Sequence, residues 1–136
     1  MLVLGPDQLD ALERHMMDAL QARLQQVIAA TFPELKAEAP AERLRSIIHR
    51  GVESATRYGI EEPPDLAAFI ALGLASRALP PGTSIDWIRD WLERPDTAGA
   101  TKLAIIEAQL ASGTGNPAYF SLTARVKQAR REAQGG

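Results

Sequence analysis

The sequence predicts an all-α fold, a single compact bundle of about five helices around a central apolar helix at residues 66–76. Three observations carry that expectation. Apolar residues recur at helical spacing over most of the chain, the segment LAAFIALGLAS (66–76) carries no charge, and no run alternates with period two long enough for a strand. Residues 1–116 form the expected helical domain, and 117–136 a basic C-terminal tail or extra helix.

In chain order, Gly5-Pro6-Asp7 opens a helix to about Ala30, with Leu9, Leu12, Met16, Leu20, Leu24, Val27 and Ile28 as its packing face. Phe32-Pro33 ends it, because the residue before proline is pushed out of helical geometry. Glu34 to Ala39 reads as a polar connector. The next helix begins near Pro40, and its stripe Leu44, Ile47, Ile48, Gly51, Val52 and Ala55 follows the i, i+3, i+4, i+7 pattern. Glycine inside a helix costs about 0.5–1 kcal/mol relative to alanine, so Gly51 implies a neighbouring helix that crosses closely. Tyr58-Gly59-Ile60 stops the helix: Gly59 accepts the left-handed C′ conformation and Ile60 folds back onto the last turn.

Glu61-Glu62-Pro63-Pro64-Asp65 starts the central helix, proline suiting the first turn and carboxylates the positive end of the dipole. Ala67, Ala68, Ala71, Gly73 and Ala75 are small enough for neighbours to approach. Pro80-Pro81-Gly82 breaks the chain. Thr83-Ser84-Ile85-Asp86 then reads as a capping pattern for a short helix, SIDWIRDWLER, bearing Ile85, Ile88 and Leu92 with Trp87 and Trp91 one turn apart. Asp96 or Thr97 caps a further helix through Ser112 with Leu103, Ile106 and Leu110 as its core face. Gly113-Thr114-Gly115-Asn116-Pro117 is a flexible break, Leu122 to Gln134 a terminal helix or a fraying tail, and Gly135-Gly136 frays.

The chain has 136 residues, no cysteine and a net charge of −2. It therefore forms no disulfide, fits a reducing cytoplasm, and has no overall electrostatic attraction to nucleic acid. MLVLGPDQLD lacks the basic start of a signal peptide, and the uncharged segment 66–76 covers only about half of the roughly 30 Å of a bilayer core, so no membrane span is expected. Charge is uneven. Residues 117–136 carry Arg125, Lys127, Arg130 and Arg131 against Glu132 alone, a local +3 that leaves −5 on the rest.

No catalytic residue, cofactor site or metal site is expected. His15 and His49 lie in different helices, and without cysteine a zinc site would lean on carboxylates. Glu61, Glu62 and Asp65 are explained by dipole complementarity. Gly113-Thr114-Gly115 lacks the lysine and the strand–helix setting of a phosphate loop. A helix-turn-helix around Gly59 fails because Leu66 to Ser76 offers no Arg, Lys, Asn or Gln to read bases. What remains is protein contact. Trp87 and Trp91 are core residues or partner anchors, and Arg125, Lys127, Arg130 and Arg131 are either a solvated helix or an arm for an acidic partner.

Several phrases recur together in a known order: MLVLGPDQLDALE closing with TFP, then RLRSIIHRGVESATRYGIEEPPDLAAFIALGLA, a tryptophan segment, and KLAIIEAQL. On these, residues 1–112 resemble small helical proteins associated with bacterial type VI secretion, with its spike (the VgrG-like tip and PAAR proteins) and effectors. Gly51, Ala55, Tyr58, Gly59 and Ile60, then Asp65, Phe69, Ile70 and Leu72, carry the resemblance most; the part from Pro117 looks like an addition. The resemblance brings no catalytic residues. It implies an accessory role, an adaptor or chaperone binding an effector or spike component. An immunity protein neutralising a toxic effector, and a helical protein-binding module unrelated to secretion, are the alternatives.

Overall fold

A computed structural model describes residues 5–77, 79, 83, 85–112 and 118–135. Within them the chain is all-helical: α1 Pro6–Thr31, α2 Pro33–Glu38, α3 Ala41–Arg57, α4 Pro63–Ser76, α5 Asp86–Leu92, α6 Gly99–Ala111 and α7 Ala118–Gln134. The breaks expected at 80–82 and 113–117, Ser84 and Gly136 lie outside the described residues.

One helix exceeds the expected set, and another decides between two expected alternatives. Pro33 does more than end α1. Its fixed φ and missing N–H suit a first turn, so the expected connector is the short helix α2. The second is α7, the extra helix of the two alternatives expected over 117–136, whose Tyr119, Leu122, Val126 and Ala129 are buried in the core. Of those alternatives the helix is the one that forms, packed rather than solvated, and α7 is the principal partner of α4. It runs antiparallel to α1. Arg23 donates to the Glu132 carbonyl (2.9 Å), and Gln128 donates to the Ala30 carbonyl (3.4 Å). Arg125 donates to the Thr31 carbonyl.

The α3–α4 hairpin follows its expected rules closely. Gly59 has φ +80°. The Ile60 N–H bonds the Ala55 carbonyl (2.9 Å), the Gly59 N–H bonds that of Thr56 (3.0 Å), and Ile60 is buried. This is the Schellman arrangement, which satisfies carbonyls that a helix end leaves open. At Gly51 a Cβ would stand 2.6 Å from Ile70 Cγ1, so the close crossing is with α4. Leu66, Ala67, Ala68, Ile70, Ala71 and Leu72 are buried on α4. Its burial is not complete, however: Gly73 is exposed and Phe69 and Leu74 are half-buried.

Two caps differ from expectation. Ile85 occupies the N-cap of α5, and Ala98, in place of Asp96 or Thr97, that of α6; neither has a side-chain cap bond. The reason at α6 is packing. Gly99 is its first residue, and a Cβ there would overlap the backbone carbonyl groups of Gly59 and Tyr58. The start of α6 is set against the α3–α4 turn, so contact rather than capping chemistry places it.

Candidate interaction surfaces

The six residues singled out for partner contact are not gathered on one surface. Trp87 is half-buried; its Nε1–H donates to the Tyr119 hydroxyl (3.2 Å), and the two rings meet edge to face at 6.1 Å. Trp91 is half-buried with the Arg94 guanidinium 4.0 Å from its ring centroid. Arg125 binds the Thr31 carbonyl and Glu34 (2.9 Å) and lies 4.8 Å from the Phe32 ring centroid. Thr31 and Phe32 are the C-terminal end of α1, which has no basic residue in its own last turn, and Glu34 is in the first turn of α2. Arg125 supplies the missing positive charge from α7. Lys127 and Arg131 are exposed.

Arg130 has the most enclosed role. Its guanidinium donates to Glu107 twice (2.6 and 3.1 Å) and to Asp65 once (2.6 Å). The side chains are only 26%, 21% and 16% exposed for Arg130, Glu107 and Asp65. Burial works against the guanidinium charge, but the bonds and charges of Glu107 and Asp65 outweigh it and hold the Arg130 pKa above its ordinary value. This ties α7, α6 and α4 together. Of the carboxylates at the start of α4, Asp65 is thus a clamp partner.

The first surface open to partners is on α1. Its packing face is continuous in sequence, yet the core covers only the C-terminal half. Leu24, Val27 and Ile28 are buried, while Leu12, Met16 and Met17 are 45%, 62% and 49% exposed. Around them, between residues 7 and 18, stand Asp7, Asp10, Glu13 and Asp18 with Arg14 as the one cation, a local −3. This half of α1 is acidic, with Met17 bordering a hollow beside His49 and Val52 of α3 and with Leu12 and Met16 standing exposed.

The second surface is a groove of about 460 Å³ between α3 and α4. Its floor is Ile47, Gly51, Phe69, Ile70, Gly73 and Leu74, and its rim is Arg43, Arg50 and Arg77. Among the described residues no carboxylate pairs with any of these three arginines, and none lines the groove. A Cβ on Gly73 would meet nothing within 4 Å, so the floor is open there. The groove adjoins a cavity of about 590 Å³ between α2, α3, α4 and α7, which shares Arg43, Ile47, Leu74 and Arg77 with it. Sequence reasoning missed the groove because Arg77 joins Arg43 and Arg50 only through the hairpin. A signal was present. Arg43, Ser46, Arg50 and Ser54 make an i, i+3, i+7, i+11 row without a carboxylate.

Both histidine positions are at the surface, His49 facing Glu53 at 2.7 Å. Lys102 is buried, and its ammonium donates to the Leu92 carbonyl (2.8 Å), joining the end of α5 to the start of α6. Among the described residues, no group of three His, Cys, Asp or Glu is placed to hold a metal ion, and no helix is long and apolar enough to cross a membrane. No protein-family model, no curated protein and no solved structure matches the chain.

Proposed function

We propose that this is a non-enzymatic, cytoplasmic accessory protein of bacterial type VI secretion, an adaptor or chaperone that binds an effector or spike component. The secretion setting rests on the resemblance of residues 1–112. Protein contact as the mode of action rests on one observation, the uncovered half of α1. There Leu12, Met16 and Met17 lie within two turns of a helix whose lower half is anchored in the core. Apolar helix faces held out in this way are docked by grooves in partner proteins.

The test is a Leu12→Asp, Met16→Asp variant in the native cell. Both positions are exposed, so its melting temperature stays at the wild-type value. Effector levels or export then fall as they do on deletion of the gene. Export at wild-type level with the variant, while the deletion loses it, removes α1 from the reading; export unaffected by the deletion overturns the reading itself.

The acidic flanks of the same face favour a second reading, an immunity protein that covers a basic toxin surface. Deletion would then leave export intact and expose the cells to killing by their sisters.

A further inference from the structure

The two open surfaces are complementary in charge and shape, and one copy of the chain cannot bring them together. We infer that the free half of α1 from one copy seats in the α3–α4 groove of a second, so that the protein assembles head to tail. This goes beyond the accessory role and does not depend on it.

Charge is the first argument. The free half of α1 carries −3 and an apolar stripe, while the groove has an apolar floor and, among the described residues, three arginines in no ion pair and no carboxylate in its lining. Pairing two α1 halves with each other would instead place like charges together. Length is the second. The groove runs beside α3 from Arg43 to Ser54, about 17 Å at 1.5 Å per residue, and α1 from Asp7 to Ala19 is about 18 Å. Depth is the third, since Gly73 leaves the floor open to a close helix.

Topology excludes self-occupancy. Within one copy α1 lies along the opposite side of α3, where Gln21 Nε2 donates to the Arg45 carbonyl (3.2 Å) and Met17 and Gln21 share a hollow with His49 and Val52. The groove side of α3 presents Arg43, Ile47, Arg50 and Ser54, half a turn away around the helix. A straight 26-residue helix cannot reach both sides. Each copy therefore offers a helix on one flank and a groove on the other. Such a heterologous contact closes into a ring or continues as a chain according to the rotation it imposes.

The test is mass measurement by light scattering over a range of protein concentrations, at low salt and at about 1 M salt, where the screening length is only about 3 Å. Wild-type mass rises with concentration at low salt and falls back towards the monomer at high salt. A groove variant (Arg43→Glu, Arg77→Glu) and a helix variant (Leu12→Asp, Met16→Asp) each remain monomeric with unchanged circular dichroism. Mixed in equal amounts, they form a dimer that grows no further, because each supplies the surface the other lacks. The charge-only variant Asp10→Lys, Glu13→Lys, which leaves the apolar stripe intact, loses at least part of the low-salt association. Wild-type protein that stays monomeric at every concentration overturns the inference. So does a groove variant that associates like wild type, which would mean that α1 pairs with α1, or a mixture that stays monomeric.

Discussion

Two glycines meet backbone to backbone where α6 starts. Gly59 turns the chain with positive φ, and Gly99 lies against its carbonyl so closely that no Cβ fits. Backbone faces backbone, so no side chain can swing aside. Gly99→Ala is expected to destabilise the protein by about 1–3 kcal/mol, the cost of overpacking a site that cannot relax; a lowered urea midpoint at constant slope is the check. The first half of this contact was legible, since Gly59 has the setting of a helix stop. The second was not, because nothing local distinguishes Gly99 from a loop glycine. Arg130 teaches the same lesson. Its partners Asp65 and Glu107 lie 65 and 23 residues away, and no spacing rule joins them. Arg130→Met keeps the stem and leaves two partly buried carboxylates without their cation, a loss of about 1–3 kcal/mol. Glu107→Gln should recover part of that loss in the same urea titration, by removing one of the stranded charges.

Among the elements, the α3–α4 hairpin was the most readable, because its stripe, stop and first-turn prolines are all local signals. The α7 helix was the least. Its apolar row Tyr119, Leu122, Val126 and Ala129 has helical spacing, but four cations and a preceding Gly/Asn/Pro break made it resemble a solvated tail. The structure resolves the conflict by giving Arg125 and Arg130 work inside the molecule, at the end of α1 and between Asp65 and Glu107. Removing residues 118–134 would therefore uncover the faces of α1, α4 and α6 that α7 now covers. The truncated protein is expected to lose its cooperative thermal transition, with near-ultraviolet circular dichroism collapsing more than the far-ultraviolet signal. A truncation that melts like the full chain would show α7 to be dispensable to the core.

At the scale of the whole molecule, helical periodicity was enough to give the all-α class and the buried centre. It did not reveal the surfaces. The groove combines two helices, and the free half of α1 is indistinguishable in sequence from the half that is buried, since one stripe runs through both. Only the length of the bundle decides where the core ends. The late position of α7 also has a kinetic consequence. The α3–α4 hairpin joins residues close in sequence, as Gly51 and Ile70 do, whereas Arg125 reaches Thr31 across 94 positions. Contacts of that separation are slow to form, because the intervening chain loses its freedom before they reward it. Pulse-labelled hydrogen exchange during refolding is expected to protect amides of α3 and α4 before those of α7, and Leu122→Ala to accelerate unfolding more than it slows folding. Until α7 arrives, the apolar side of α4 stands open, and the refolding chain passes through a period in which a neighbour's α7 can fill the place of its own.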